Sequence, residues 1–502
     1  DHLSLVARAT RMRRERLIDI GIDTRTELAG SDPDVDPKRL GEEALDLLRN
    51  QAALQVASER IGEPTHRHLT PERARGYAAL PASDTGDIYF DLEGDPFVGE
   101  GGVEYLWGWW SESGGYEHRW AHEPGAEKAA LEAFVDWVGE QRRAHPDMHV
   151  FHYAPHERSK LRSLSVEYGT REAEVDELLR LGVLVDLFEL VRHAIQVGEE
   201  SYSLKSLERH HEFKRREEDV LGGGGSILMY ERWLEAGEPG MLEAIRAYNE
   251  DDCRSTASLH HWLLERMLPE AEAELGVDFA ELAKPEADEE RTPPAWLADV
   301  EDLSERLLGD LPTDPEADTP EQSRSRLPGH LILYHHRESK PEWWRHYDLR
   351  SMSADDLIWE RDAVGEVTRD LAVEPIDMGG SWGYTYTFPA QEFKLPVGKT
   401  VADPITDVSA TLREIEPGRL VLSRRKGDPA PEPVALVGPK PIGTDVLRDA
   451  VVEVAVAVAD GSGHETAVTR LLDRIPPDIP EDLLGEDVEQ LIDACLELGD
   501  GV

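Results

Sequence analysis

Two carboxylate residues, Asp91 and Glu93, lie two positions apart in the apolar segment DIYFDLEG (87–94). Side chains alternate across a β-strand, so both should project from the same face. Adjacent carboxylates repel each other, and buried ones need a pairing charge or a metal ion. Oxygen-only ligands favour Mg²⁺ or Mn²⁺ over zinc. The alternative interpretation is a solvated strand face, which is common in an acidic protein.

A second chemical pattern occurs in YNEDDCRST (248–256), where Tyr248 and Asp252 are four residues apart. On a helix these two side chains share a face. A phenol beside a metal-bound water could orient or deprotonate it, while the aspartate one turn away binds the metal. An ordinary polar helix surface is the alternative. The order of the two patterns, strand carboxylates first and a helical Tyr/Asp pair last, favours a catalytic site.

The elements between the two patterns predict an α/β domain. Strand-like segments come first, followed by an amphipathic helix, a further strand and several helices. The predicted strands cover residues 87–94, 103–110, 116–120 and 148–153, and the amphipathic helix covers residues 127–145.

Five segments in this order resemble the DEDD exonuclease superfamily, in the subclass with a tyrosine in its last motif. The closer resemblance is to the YprB-like RNase H-like exonuclease domain of RecB-type nuclease–helicase proteins. The segments are DIYFDLEGDP (87–96), HVFHYAPHERSKL (149–161), LVDLFELVR (184–192), YSLKSLE (202–208) and YNEDDCRST (248–256). The resemblance implies a mixed sheet flanked by helices and a 3′→5′ exonuclease acting on single-stranded DNA or RNA with two Mg²⁺ or Mn²⁺ ions.

The resemblance also assigns roles residue by residue. Asp91 and Glu93 match the first motif and, with Asp252 of the last motif, would bind the metals, while Tyr248 would orient the attacking water. The middle motif departs from the family, because HYAPHE has His152 at its start and Glu157, not aspartate, at its end. Glutamate supplies the same oxygens on a longer arm, so Glu157 is assigned as the fourth ligand.

Two further residues have alternative interpretations. Asp186 in LVDLFELVR rivals Glu157 as a metal ligand, although capping of the following helix is the favoured interpretation. Lys205 in YSLKSLE either contacts a phosphate or lies on an ordinary helix surface.

The flanking segments predict further domains. Residues 1–85 form a helical spacer, whose GID turn (21–23) suggests a phosphate-gripping helix-hairpin-helix. Residues 86–270 form the exonuclease domain, and residues 271–328 an acidic, proline-rich linker. A helical lead-in and small β-barrel (329–445) and a helical segment (446–502) follow. These flanks resemble the segments between the nuclease and helicase parts of RecB-type proteins, which are therefore the expected partner domains within a longer chain. No G-x-x-x-x-G-K-[ST] phosphate loop occurs in the sequence.

The net charge of −49 is unusual for a nucleic-acid enzyme. Only 11 of the 54 basic residues are lysine. Abundant acidic residues with few lysines are typical of proteins from a salt-rich cytoplasm, where salt screens the repulsion between surface charges. The two cysteines fit a reducing cytoplasm, and neither a membrane span nor a signal peptide is predicted.

Two other classes of function compete with the nuclease. The altered middle motif is compatible with a catalytically silent RNase H-like module that binds nucleic acid or acts as a scaffold between nuclease and helicase domains. The acidity alone would also suit a protein-interaction platform.

Overall fold

The structure is a computed structural model that describes residues 1–36, 40–98, 101–216, 225–283, 295–312, 314–389, 391–461 and 472. The chain divides into two compact units, Asp1–Glu289 and Glu290–Val502. Within the described ranges, no helix is both long enough and apolar enough to cross a bilayer.

The first unit is built around a mixed five-stranded sheet. Its strands run in the order β4-β3-β2-β5-β6, with β2, β3 and β4 antiparallel and β2, β5 and β6 parallel. A separate antiparallel pair joins β1 to β7. The strands of this unit are β1 (His66–His68), β2 (Ile88–Asp95), β3 (Val103–Ser111), β4 (Gly115–Trp120), β5 (Val150–His152), β6 (Leu184–Asp186) and β7 (Ile195–Val197).

Helices cover the sheet and also precede and follow it along the chain. They are α1 (Arg11–Asp19), α2 (Arg25–Ala29), α3 (Glu42–Ile61), α4 (Pro124–Ala144), α5 (His156–Glu167), α6 (Glu172–Arg180), α7 (Leu187–Ala194), α8 (Leu204–Leu207), α9 (Gly225–Ala236), α10 (Pro239–Trp262) and α11 (Leu268–Leu275). A π-helical turn, Leu263–Met267, joins the last two, and short 3₁₀ helices cover Leu3–Leu5, Gly76–Ala79 and Phe279–Leu282.

Strand alternation in β2 divides its side chains between two hydrophobic cores. Phe90 belongs to the core that α4 covers, where its ring stacks on Phe134 with centroids 4.1 Å apart. Tyr89 faces α10, and its hydroxyl lies 2.9 Å from Nδ1 of His260. The face that α10 covers is also the face on which Asp91 and Glu93 lie.

Three short strands of this unit were not predicted from the sequence. Residues 184–186 and 195–197 form β6 and β7, although the surrounding segment predicts helix, and β1 was not predicted. Each has only three residues. Such strands are too short to show an alternating pattern, so pairing with neighbours decides their conformation.

The N-terminal helices form as the sequence predicts, with a turn at Gly21 (φ 86°) between α1 and α2. The backbone amides of this turn already have acceptors. Gly21 donates to the carbonyl of Ile18 and Ile22 to the carbonyl of Leu17, each at a distance of 2.9 Å. The amide of Asp23 donates to the Glu27 carboxylate at 2.9 Å. These donors are therefore occupied in this structure, although a helix-hairpin-helix grip on phosphate needs them.

The second unit begins with helices in the segment that the sequence suggests is a linker. The helices of this unit are α12 (Ala295–Leu308), α13 (Pro320–Leu331), α14 (Tyr334–Ser351), α15 (Ala354–Leu357) and α16 (Asp445–Ala459), with a 3₁₀ turn at Pro315–Ala317. Leu303 and Leu307 of α12 share a buried cluster with Ile332 and Ala455. The predicted helix within residues 464–475 falls outside the described residues, apart from position 472.

An antiparallel half-barrel sheet follows the helices, where the sequence predicts a small β-barrel. Its strands run in the order β10-β11-β14-β13-β12-β15-β8, and β9 pairs with β11. Within the described residues the end strands β10 and β8 do not pair, so the sheet stays open. The strands are β8 (Ala363–Val364), β9 (Thr368–Arg369), β10 (Ile376–Asp377), β11 (Ser381–Thr387), β12 (Thr400–Ala402), β13 (Ser409–Glu416), β14 (Arg419–Arg425) and β15 (Leu436–Val437).

Candidate metal centre

The two carboxylates of β2 face the same side of the sheet. Asp91 is half-buried and Glu93 is 8% exposed. Asp91 lies opposite Gly108 in the neighbouring strand β3. A register shift follows Glu93, where the regular β2–β3 pairing is interrupted. Strand alternation therefore places both side chains against α10.

Helix α10 brings the last motif to the strand carboxylates. One side-chain oxygen from each of Asp91, Glu93 and Asp252 lies within 4.8 Å of the other two. Tyr248 occupies the preceding turn of α10, and charge interactions couple it to all three carboxylates. Residues more than 150 positions apart in sequence thus form one acidic cluster.

Asn249 fixes the position of Asp91. Its side-chain amide donates to Oδ2 of Asp91 at 2.7 Å and to the Asp91 carbonyl at 3.1 Å. The hydroxyl of Tyr116 in turn donates to Oδ1 of Asn249 at 2.8 Å. Gly108 leaves room for this contact, because a Cβ there would lie 1.7 Å from Oδ1 of Asn249. The glycine is required by close approach of another residue, not by a turn.

Burial and mutual repulsion raise the pKa values of all three clustered carboxyls. Desolvation raises the pKa of Asp91 well above its usual value, and the charges of Asp252, Glu93 and Glu157 raise it further. Desolvation and the charge of Asp252 raise the pKa of Glu93 to about 8. Desolvation also raises the pKa of Asp252, although Arg215 opposes the shift. Ionising all three carboxyls together is therefore unfavourable unless a cation neutralises them.

Glu157 lies beside the cluster without joining the group of carboxylates within 4.8 Å of one another. It is 3% exposed at the start of α5, and the backbone amide of Leu92, between the two strand carboxylates, donates to it. Its Oε2 has no hydrogen-bond partner among the described residues. Desolvation raises the pKa of Glu157 well above its usual value. A buried carboxylate oxygen without a donor is what a metal ligand would leave in a metal-free arrangement.

His152 is fully buried behind Glu157, with its Nδ1 3.7 Å from Oε2 of the glutamate. The same Nδ1 lies 2.8 Å from the carbonyl oxygen of Ala154. Desolvation lowers the pKa of His152, so the ring is neutral near pH 7. In the neutral ring, Nδ1–H donates a hydrogen bond to the Ala154 carbonyl. This hydrogen bond stabilises the turn that precedes Glu157.

Asp186 is the N-cap of α7. Its Oδ1 accepts from the backbone amides of Phe188 and Ala154, both at 2.9 Å. This geometry agrees with the favoured interpretation of Asp186 as a capping residue. It also ties α7 to the loop that precedes Glu157.

Two basic side chains flank the tyrosine. The ammonium of Lys205 lies 4.9 Å from the centre of the Tyr248 ring, and the guanidinium of Arg215 lies 5.3 Å from it. Lys205 is in α8, and its charge lowers the pKa of both Glu93 and Asp252. Both cations therefore lie beside the acidic cluster.

The donor set fits hard divalent cations. Asp91, Glu93, Asp252 and the neighbouring Glu157 offer only oxygen atoms, which suit Mg²⁺ or Mn²⁺. The crowded carboxyls and the unpartnered Oε2 of Glu157 are the features of this structure that match such a group.

The sequence did not reveal three residues that shape the centre: Asn249, Gly108 and Arg215. Asn249 lies three positions before Asp252, so helical spacing could have placed it on the same face. Gly108 sits in an aromatic strand pattern, where a glycine indicates close backbone approach. Arg215 has no motif that could have identified it.

The comparisons with known proteins bear on the fold of the domain that carries the acidic cluster. A family model described as RNase_H superfamily matches residues 88–264, about a third of the chain. No curated protein matches the chain. The matched range runs from the strand that carries Asp91 and Glu93 into the π-helical turn after α10, and it contains every residue of the acidic cluster. Residues 88–264 are an RNase H-like domain, with the mixed sheet flanked by helices that the sequence predicts.

Proposed function

We propose that the RNase H-like domain is a metal-dependent nuclease, specifically a 3′→5′ exonuclease on single-stranded nucleic acid. The observation that carries the proposal is the convergence of Asp91, Glu93 and Asp252, whose oxygens lie within 4.8 Å of one another. Three crowded, largely buried carboxylates cost free energy unless a cation or protons neutralise them. The fold alone supports only nucleic-acid processing in general.

In this proposal Asp91, Glu93 and Asp252 hold the metal, and Glu157 completes the ligand set. Two Mg²⁺ or Mn²⁺ ions, when bound, would supply an activated water and charge stabilisation for the leaving oxygen. Asn249 keeps Asp91 oriented through its 2.7 Å hydrogen bond.

Tyr248 acts in the proposal as a hydrogen-bond donor that orients the attacking water. Desolvation raises the pKa of Tyr248, and the charges of Asp252, Glu93 and Asp91 raise it further. The phenol therefore stays protonated at neutral pH and does not act as the base. Lys205 and Arg215, 4.9 and 5.3 Å from the centre of the ring, supply positive charge for the scissile phosphate and offset the acidity of the chain.

The proposal extends to the setting of the domain. We infer that it works as the middle part of a RecB-type nuclease–helicase, with the nuclease and helicase domains as partners in the same longer protein. The support is the resemblance of the flanking segments. DNA and RNA are both retained as substrates, because single strands of either present the same phosphate chemistry.

A second candidate, a catalytically silent module that guides a strand, is favoured by two observations. Glu157 lies outside the group of carboxylates that could share one ion. The guanidinium of Arg215 already forms an ion pair with the Asp252 carboxylate at a distance of 2.5 Å. Such a module would bind nucleic acid, yet would bind Mn²⁺ weakly and cleave nothing.

Incubation of the chain with 3′- and 5′-labelled single strands of DNA and RNA, with and without Mn²⁺, tests both candidates. The nuclease proposal expects metal-dependent shortening from the 3′ end that Asp91→Asn abolishes. A matched control is Asp95→Asn, which changes the same charge on the same strand outside the cluster. Strand binding without any cleavage, together with weak Mn²⁺ binding, would establish the silent module instead.

A further inference from the structure

A second group of possible metal ligands lies away from the acidic cluster. Nitrogen atoms of His66 and His68 and an oxygen of Glu270 all lie within 4.8 Å of one another. The two histidines are two positions apart in β1, so their side chains project from the same face of that strand. Glu270 comes from α11. All three positions fall outside the range 88–264 that matches the RNase H family.

His68 is buried with an unused nitrogen aimed at this group. Its side chain is 1% exposed, and Nε2 has no hydrogen-bond partner within the described part of the chain. The nearest acidic atom, Oε1 of Glu270, is 3.7 Å away, which is too long for a hydrogen bond. A buried nitrogen of this kind lacks the partner that protein interiors normally provide.

The other nitrogen of His68 is held in place by Tyr77. Nδ1 lies 3.0 Å from the tyrosine hydroxyl in a buried contact. When Nδ1 carries the proton and donates it to the phenol, Nε2 presents its lone pair toward Glu270. Desolvation and the neighbouring His66 lower the pKa of His68, which favours this neutral form. Metal-binding histidines are commonly oriented through their second nitrogen in this way.

The two separations between Glu270 and the histidines suit one tetrahedral ion. Oε1 of Glu270 lies 3.0 Å from Nε2 of His66 and 3.7 Å from Nε2 of His68. Ligands about 2.0–2.1 Å from a zinc ion at tetrahedral angles would be roughly 3.3 Å apart, between these two values. The side chains of His66 and Glu270 are 25% and 43% exposed, so water can reach a fourth position.

We propose that His66, His68 and Glu270 form a site for a zinc-class divalent cation that fastens β1 to α11. Two imidazoles and one carboxylate are a zinc ligand set, distinct from the oxygen-only cluster at Asp91. The ion joins the strand before the RNase H-like domain to the helix after it. Its effect is therefore structural: it stabilises the packing of β1 against α11 and is independent of the nuclease proposal.

The test is zinc binding by the full chain after treatment with a chelator. Zinc is titrated in competition with a chromogenic zinc indicator, in excess Mg²⁺ to occupy the Asp91 cluster. One equivalent of zinc should bind, should raise the melting temperature and should resist Mg²⁺. His66→Gln and Glu270→Gln should each weaken zinc binding at least about tenfold, the lower end of losses seen when even indirect partners of a metal are removed. Both residues are partly exposed, so these variants should fold.

Glu272→Gln is the matched control, because it removes the same charge from α11 two residues away on another face of the helix. It should leave zinc affinity unchanged, as should Asp91→Asn. Bound Co²⁺ should report a tetrahedral site with imidazole ligands in its visible absorption. The proposal is overturned when no zinc is retained, when His66→Gln and Glu270→Gln bind it as the unaltered chain does, or when only Asp91→Asn loses it.

Discussion

Nη2 of Arg215 lies 2.5 Å from Oδ1 of Asp252, while the same nitrogen is 2.7 Å from Oε1 of Glu208. The side chains of Arg215 and Asp252 are only 11% and 13% exposed, so the pair is poorly solvated. Arg215 thus pairs with the carboxylate that binds a metal ion in the proposal. The arginine and the cation should compete for Asp252.

Arg215→Gln should therefore have opposite effects on stability and on metal binding. The free energy of unfolding of the metal-free chain should fall by about 3 kcal/mol, the scale for removing one partner of a buried pair. Mn²⁺ affinity should rise several-fold, because a competing positive charge is gone. Urea unfolding and calorimetric Mn²⁺ titration measure the two effects.

Arg216→Gln is the control for this change. Arg216 pairs with Asp251 and Glu250, at 2.8 and 2.9 Å, rather than with the cluster. It should leave Mn²⁺ affinity unchanged. A fall in Mn²⁺ affinity in Arg215→Gln would show that the arginine supports the metal site instead of competing for it.

Tyr248→Phe should reduce turnover by roughly 10²–10⁴, the usual scale for a positioned proton donor or acceptor, while metal affinity holds. The phenylalanine keeps the ring and removes only the hydroxyl, the group that orients water in the proposal. Because the pKa of Tyr248 is raised, the unaltered chain should show no change in cleavage rate from phenol ionisation near neutral pH. Single-turnover cleavage and Mn²⁺ titration check this.

Tyr230→Phe is the matched control. The Tyr230 hydroxyl lies 3.0 Å from Nδ1 of His122, away from the acidic cluster. Its turnover should match the unaltered chain. Equal losses in both variants would mean that Tyr248 matters for packing alone.

Glu157→Gln should weaken Mn²⁺ binding, and excess Mn²⁺ should partly restore cleavage, because the change removes a charge beside the cluster. Glu157→Asp tests whether a shorter side chain still reaches the metal: the variant should be active if the backbone is close enough and inactive if the longer side chain is needed.

Asp186→Asn is the comparison, because an amide oxygen can still accept from the backbone amides of Phe188 and Ala154. It should alter neither Mn²⁺ binding nor stability appreciably, whereas Asp186→Ala should cost about 0.5–2 kcal/mol. Loss of metal binding in Asp186→Asn alone would make Asp186 the fourth ligand.

Gly108→Ala should weaken metal binding through Asn249, which holds Asp91 in position. The added methyl group would overlap Oδ1 of Asn249 at 1.7 Å and crowd the Tyr116 hydroxyl at 2.7 Å. Asn249 must then move, and Asp91 loses its hydrogen bond. Gly139→Ala, in the interior of α4 with nothing within 4 Å of its new Cβ, should instead be neutral or stabilising by about 0.5–1 kcal/mol. Melting curves and Mn²⁺ titration of both variants measure the difference.

The salt dependence of stability tests the interpretation of the acidic composition. If the net charge of −49 reflects a salt-rich cytoplasm, the melting temperature should rise as KCl approaches molar concentration. At 1 M the Debye length is about 3 Å, so repulsion between exposed carboxylates is screened. A melting temperature that stays flat or falls with KCl contradicts the interpretation.

The sequence by itself determined which elements carry the acidic cluster. Strand alternation put Asp91 and Glu93 on one face, and helical spacing put Tyr248 and Asp252 on another shared face. These are local periodicities, so the residues alone are enough to predict them. The long, strongly patterned elements β2, β3, α4 and α10 were predicted for the same reason.

Only the tertiary structure decided what lies between those faces. The separation of Asp91 from Asp252, the hydrogen bond from Asn249 and the space left by Gly108 depend on how α10 packs against the sheet. Likewise, Arg215 on Asp252 and His68 facing Glu270 join residues distant in sequence. Such contacts arise from packing between elements, and no local pattern in the chain encodes them. The short strands β6 and β7 and the open edge of the second sheet belong to the same class, since pairing with neighbours fixes them.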